Sequence, residues 1–282
     1  MKTVDVGLGG GALIQIANRS LSLTMGYIIE CPDGSLAIID GGNYDTTEGE
    51  NLYNEIMSRG GRVGLWIITH THRDHLGALL YILEKHPDVT VERLCCKLAD
   101  REWLKDKSDK EYNLPFLDKI EEKNLPILTP CENRLFEFGG LSYEFIYVPT
   151  DEEISGYSEI NPTSIVTKVH FPLRDVLFLA DLNIEAEPNF FSRRNPEGLK
   201  ADICQMAHHG TKGVSYEFYS YVKPKICLYP TPKWLWENNM HMSLDPKTRG
   251  KGPYMTLQTR RWMDELGAVE SYSQQFGDIR FI

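Results

Sequence analysis

Ile67-Ile68-Thr69-His70-Thr71-His72-Arg73-Asp74-His75-Leu76-Gly77 decides how this chain is read, because three imidazoles and a carboxylate fall within six residues directly behind an apolar run. An apolar strand over residues 65–68 stops, hands over His70, His72, Asp74 and His75, and a helix-like segment follows over 76–86. That pattern puts four donors on one turn at the mouth of a sheet. Imidazole is the commonest metal ligand, and aspartate adds negative charge that a divalent cation neutralises. The stretch is therefore read as part of a metal site.

Outward from it, the chain alternates strands and helices. Two apolar runs, 23–30 and 35–39, flank Pro32-Asp33-Gly34, which predicts a hairpin whose second strand ends in Asp40-Gly41-Gly42. A helix over 46–59, closed by Gly60-Gly61, leads into the strand 63–69. Beyond the cluster come a strand-like piece at 89–96 and helical pieces at 99–107 and 115–123, with 111–124 polar enough to be peripheral. A second run of strands occupies 124–128, 133–138 and 141–148. Residues 149–162 are acidic and lack periodicity, and are read as a long loop of the kind that carries function or disorder. Strands at 163–170 and 176–180 follow, the latter ending in Asp181, and 203–207 ends in His208-His209-Gly210. The remainder predicts a helix at 214–222, a strand at 226–229, a mobile loop at 240–252, a helix at 255–266 and two closing strands.

Strand ends therefore carry Asp40, the His70 to His75 cluster, Asp181 and His208-His209, and strands of one layer can bring such ends to one rim. The donor count suits two divalent ions, with Asp181 bridging, His70 and His72 on one, and Asp74, His75 and a later histidine on the other. A hydroxide held between two ions is then the expected nucleophile, with Asp74 able to orient it. Zinc is the first choice of metal, manganese and iron the alternatives, since the donors accept all three.

The formal net charge of −10 disfavours broad nucleic-acid binding, which draws its affinity from Lys and Arg. No apolar stretch is long enough to span a bilayer. The start, Met1 to Gly7, does not read as a signal segment, so a cytoplasmic protein is expected. Six cysteines without a C-x-x-C pair are read as reduced and mostly buried.

The run His70-Thr71-His72-Arg73-Asp74-His75 resembles the H-x-H-x-D-H signature of the metallo-β-lactamase superfamily, and Asp40, Asp181 and His209 resemble its other motifs in order. The likeness implies one αββα sandwich domain over residues 1–282, an α/β fold of two mixed sheets flanked by helices. It also implies a metal-dependent hydrolase with a two-ion site, in which Asp40 orients a ligand and His209 is the ligand of the His-His pair. His208 is left to contact a phosphoryl oxygen or to pack. One departure stands out: where most members carry a further histidine this chain has Asn161-Pro162-Thr163-Ser164, and no histidine lies between Pro87 and Val169. The ion at His70 and His72 is then short of one protein ligand, and weak binding, a water in that place, or recruitment of Asp151 or Glu153 from the acidic loop are the alternatives. The Asn-x-x-Ser pattern resembles the branch with the competence DNA-uptake nuclease domain and phosphorylcholine esterases. The expected substrate is thus a small-molecule or head-group phosphoester cleaved by a phosphodiesterase. A DNA-uptake type nuclease, a di-iron oxidoreductase and a non-catalytic metal-binding protein are the rivals. Tyr229, Trp234 and Trp236 are candidates for a quaternary ammonium group or for the core, and His241 and the Lys247, Arg249 and Lys251 run for substrate contact or plain exposure.

Overall fold

Alternation of side chains along each strand sorts this chain into four layers. A computed structural model describes residues 1–282, with the side chain of His241 outside the described residues. The chain begins with β1 (Lys2–Val4), β2 (Ala12–Gln15), β3 (Gly26–Glu30) and β4 (Leu36–Asp40), then passes through α1 (Thr46–Met57) to β5 (Arg62–Val63) and β6 (Leu65–Ile68). Next come α2 (Arg73–Lys85), β7 (Thr90–Val91), β8 (Leu94–Cys96), α3 (Arg101–Leu104), α4 (Lys110–Lys123) and β9 (Ile127–Leu128). The second sheet starts with β10 (Leu135–Phe138) and β11 (Leu141–Tyr147), and continues after α5 (Asp151–Gly156) with β12 (Val166–His170) and β13 (Asp175–Phe178). Then follow α6 (Glu187–Arg193), β14 (Ile203–Gln205), α7 (Tyr216–Val222), β15 (Ile226–Tyr229), α8 (Lys233–Trp236), α9 (Thr256–Leu266), β16 (Glu270–Ser273) and β17 (Ile279–Phe281).

One sheet has the order β1-β17-β2-β3-β4-β6-β8-β9 and the other runs β10 through β16 in sequence around β11 to β15, with β5 and β7 forming a small ribbon. Both sheets mix parallel and antiparallel pairs. In β3, β4 and β6 the residues Tyr27, Ile29, Ala37, Ile39, Leu65 and Ile67 pack inward against Phe145, Val169, Val176 and Phe178 of the other sheet. Their neighbours Ile28, Ile38, Trp66 and Ile68 point the opposite way and are covered by Leu52, Ile56, Leu76, Leu79 and Phe116 of α1, α2 and α4. The second sheet is covered in the same manner by Phe190, Phe218, Tyr219 and Met263 of α6, α7 and α9. Period-two burial on both faces is what a helix-sheet-sheet-helix stack requires. This is the αββα sandwich expected from the sequence. No helix is long and apolar enough to cross a membrane among the described residues.

Local chemistry accounts for the turns. The β3–β4 hairpin closes at Pro32-Asp33-Gly34, where the Gly34 N–H donates to Cys31 O at 2.9 Å and Gly34 takes a left-handed φ of 88°. Asp45 caps α1 by accepting from the Glu48 N–H at 2.8 Å. Five of the cysteines are buried, Cys131 is exposed, and all six are free.

Three sequence expectations change. The cluster helix starts at Arg73 rather than at residue 76, so Asp74 and His75 sit in its first turn. The segment 111–124, expected to be peripheral, falls in α4, which buries Asn113, Phe116, Leu117 and Ile120 despite its polar composition. Residues 149–162 hold α5, started by a reciprocal cap in which Thr150 accepts from the Glu153 N–H and the Glu153 carboxylate accepts from the Thr150 N–H.

The helix α2 can approach the hairpin end because residue 77 lacks a side chain. A Cβ on Gly77 would fall within the backbone of Asn43 and Tyr44, next to the Ala78 N–H that donates to Gly42 O at 2.9 Å. Gly77→Ala should lower the free energy of unfolding by about 1–3 kcal/mol, the usual cost of overpacking, seen as a lower urea midpoint at unchanged slope. A wild-type midpoint would show that this contact yields freely.

Candidate metal centre

Parallel pairing sets where the donors meet. β4 runs parallel to β6, and β13 runs parallel to β14, so their C-terminal ends lie at common rims. Asp40 follows Ile39 at one end, His70 and His72 leave another, and Asp181 and His208-His209 leave the ends in the second sheet. The backbone is left-handed at Asp40 (φ 56°), Ala180 (51°), His208 (49°) and His209 (56°). Non-glycine residues rarely adopt that conformation, and such strain gathers where side chains must be re-aimed at a site.

Two groups of donor atoms result, each with all atoms within 4.8 Å of one another: Asp74, His75, Asp181 and His209 in one, and His70, His72 and Asp181 in the other. His75 Nε2 lies 3.3 Å from Asp181 Oδ1, His209 Nε2 3.0 Å from Asp74 Oδ2 and 3.5 Å from Asp181 Oδ2. His70 Nε2 and His72 Nδ1 are 3.2 Å apart.

The hydrogen bonds behind the imidazoles fix which nitrogen is free. Asp40 accepts from the Thr69 N–H at 2.8 Å, from the Thr69 hydroxyl and from His75 Nδ1 at 2.8 Å. The Thr69 hydroxyl has spent its proton on Asp40, so at 3.2 Å it accepts from His70 Nδ1. His209 Nδ1 donates to Pro230 O at 2.7 Å, and His208 Nδ1 donates to Lys212 O at 2.8 Å. In the neutral form of all four rings Nε2 is therefore the lone-pair nitrogen, the arrangement that outer hydrogen bonds impose on metal-binding histidines. His75 Nε2, His209 Nε2 and Asp181 Oδ1 are buried without a hydrogen-bond partner. Buried polar atoms without partners are rare, and a cation between them removes the anomaly. The residues present thus fit a pair of divalent ions.

Electrostatics agree. Burial disfavours charge on His209, but Asp181 and Asp74 outweigh it and lift this imidazole to about 10. Burial likewise opposes charge on His75, which Asp181 and Asp40 nevertheless push well above the ordinary value. Burial would raise Asp181 and Asp74, yet His209 and His75 hold both below the usual carboxylate range. His70 goes the other way, pushed down by burial and then by His75. The centre favours added positive charge at the carboxylates and bare nitrogen at His70.

A cleft of about 330 Å³ opens over these groups, lined by His72, Asp74, Asp181 and His208 together with Ser22, Leu23, Asn43, Arg73, Asp109, Asn161, Trp234 and Met242. His209 is fully buried, whereas the His208 side chain is 23% exposed, with Nε2 3.9 Å from Asp181 Oδ2 and 3.5 Å from Asn161 Nδ2. Asp151 and Glu153 are elsewhere, which corrects the reading that recruits one of them to the ligands. Asp151 is salt-bridged to Lys97, and Glu153 is held by Arg193 and its own helix cap. His170 pairs with Asp175 and Glu144 on β12, away from the site. Tyr229 is buried, its ring so near Gly210 that a Cβ there would strike it, and Trp236 packs on Tyr229 beneath Arg260. Only Trp234 of the three aromatics lines the cleft. Arg249 lies near Glu237 on an exposed stretch, and the side chain of His241 is outside the described residues. Arg73, Asn43, Asp109 and Met242 escaped the sequence reading. For Arg73 the signal was present, since it occupies the first turn of the cluster helix.

No protein of curated function matches the chain in sequence. Among solved structures, the metallo-beta-lactamase fold protein YhfI from Bacillus subtilis superimposes with a TM-score of 0.53 at 12% identity, covering 93% of this chain and 96% of that one. CmlA, a diiron beta-hydroxylase from Streptomyces venezuelae, gives a TM-score of 0.56 at 13% identity, covering 96% of this chain and 54% of its own. At such identities both likenesses concern the fold. The family model of the metallo-beta-lactamase superfamily matches residues 23–224, a span that holds Asp40 and every donor of both groups, and the chain belongs to that superfamily.

Proposed function

We propose that this protein is a metal-dependent hydrolase of a phosphodiester or related phosphoric ester, with zinc as the first choice of metal. The observation that carries this reading is the pair of donor groups sharing Asp181, with three of their atoms buried and without other partners. Bound there, two divalent ions would supply an acidified water and Lewis-acid polarisation of the ester oxygen.

The chain's own groups do the rest. His70, His72 and Asp181 would hold one ion, and Asp74, His75, Asp181 and His209 the other. Asp40 acts through His75 as a positioning residue, and Asp74, less buried than Asp181, would orient the attacking water. His208, on the cleft wall with Nε2 beside Asn161 Nδ2, would contact a phosphoryl oxygen of the substrate. Arg73, stacked over Tyr112 at 5.8 Å, adds a fixed positive charge to the lining for an anionic substrate. The cleft is at the small end of small-molecule sites, and the net charge of −10 weighs against a polyanion, so a small or head-group ester is preferred over DNA.

Metal analysis of the loaded protein should give two ions per chain. Asp181→Ala, which removes the shared carboxylate, should lose both ions and reduce hydrolysis of bis-(p-nitrophenyl) phosphate to background, and His72→Ala should lose one ion. Full activity in either variant sinks the two-ion reading, as does iron content with oxygen-dependent oxidation and no ester turnover. Compared on single-stranded DNA, the wild type should be the poorer catalyst, and a preference for DNA would replace the phosphodiesterase by a nuclease.

Asp40→Asn keeps the shape but removes the charge behind His75. Its metal affinity should fall by about 10–100-fold, as for other outer hydrogen-bond partners, measured by competition with a chelating dye. An unchanged affinity would deny Asp40 any positioning role.

A further inference from the structure

The cleft over the donor groups is not polar throughout. Leu23, Trp234 and Met242 line it as well, and they come from two segments, the connection before β3 and the excursion between β15 and α9. The Trp234 Nε1–H donates to Leu21 O at 2.7 Å, which fastens the two segments together and uses the only polar atom of that ring. Beside these three residues in sequence, Leu21 is 53% exposed, Met242 itself 43% and Leu244 45%. Trp234 is 3% exposed and forms the floor under the more open Met242; apolar area left in water costs about 25 cal/mol per Å², and where it lines a cleft it marks a ligand surface.

We propose that the substrate is amphiphilic, an anionic ester head carrying an alkyl or aryl group of several carbons that packs on Leu23, Trp234 and Met242. The head is the phosphoric ester of the preceding section, and the inference rests on that reading for it. The cleft volume of about 330 Å³ holds such a head with a short apolar group.

Alkylphosphonates test this without turnover, since the carbon–phosphorus bond is not a hydrolysable ester. Calorimetric titration of the metal-loaded protein with the methyl to hexyl series should show Kd falling about three- to fourfold per methylene. Leu23→Ser and Met242→Ser should flatten that slope and Met242→Leu should keep it, with thermal melting reporting that each variant is folded. Equal affinities along the series, absence of binding, or a full slope in both serine variants overturns the proposal. Sedimentation with phosphatidylcholine vesicles alongside a flat series assigns the patch to a bilayer surface and also overturns it. A protein that binds the series with the expected slope but cleaves no ester removes the hydrolase reading alone. One that cleaves bis-(p-nitrophenyl) phosphate yet gives a flat series removes only this inference.

Discussion

The fully buried carboxylate of Asp40 is the knot on which the centre depends. It receives the Thr69 N–H, the Thr69 hydroxyl and His75 Nδ1, so one side chain fastens the end of the hairpin, the end of β6 and the first turn of α2. Its own carbonyl accepts from the Trp66 indole N–H at 2.7 Å. A buried carboxylate with fewer partners would be costly, since an ionised group must be compensated by hydrogen bonds or charge. Three donors satisfy it, and each donor is thereby fixed. Asp40 meets these donors from a left-handed backbone, φ 56°, a conformation that residues other than glycine rarely adopt.

The same economy of protons runs through the centre. Acceptors behind the imidazoles take the Nδ1 protons of His70, His75, His208 and His209, and they include one hydroxyl, one carboxylate and two backbone carbonyls. Carbonyls and carboxylates cannot donate, which fixes the Nδ1 proton of His75, His208 and His209, and the Thr69 hydroxyl, its own proton given to Asp40, accepts from His70. Two carboxylates, Asp74 and Asp181, then face bare nitrogens across 3.0–3.5 Å. Such an arrangement repels nothing only if a positive charge sits among them, either protons on His75 and His209 or cations. The carboxylates of Asp181 and Asp74 push the His209 imidazole up for the same reason.

Much of this was legible in the chain itself. The H-x-H-x-D-H run declares a ligand cluster because no packing motif needs three imidazoles so close, and Asp181 and His209 could be found by asking which apolar strands end in donors. The unbroken apolar runs in 26–30, 36–40 and 65–68 were equally readable as strands, and burial on both faces is what such runs require. What failed was local or long-range in identifiable ways. The acidic segment at 149–162 read as loop because net charge masked its capping box, although Thr150 and Glu153 stand at the required spacing. Assigning Asp151 or Glu153 to the metals failed for another reason: each had a cationic partner, Lys97 or Arg193, from a distant part of the chain. The roles of Leu23 and Met242 depend on a cleft formed by segments over 200 residues apart, and no pattern along the chain encodes that meeting.

The His208-His209 pair shows how one strand end can place a candidate metal ligand beside a candidate substrate contact. Side chains of adjacent residues ordinarily diverge, and the sequence alone cannot say which of two neighbouring histidines turns inward. Here left-handed φ at both positions folds the chain so tightly that Gly210 N–H donates to Ala207 O at 3.0 Å and Thr211 N–H to His208 O at 2.9 Å. His209 is driven inward until Nδ1 meets Pro230 O, while His208 stays at the cleft and is held by Lys212 O. Gly210 permits the turn because any side chain there would collide with the Tyr229 ring beneath. A disturbance of this four-residue turn therefore moves a candidate ligand and a candidate substrate contact together, so substitutions at Gly210 or Tyr229 act on both properties although neither side chain lines the cleft.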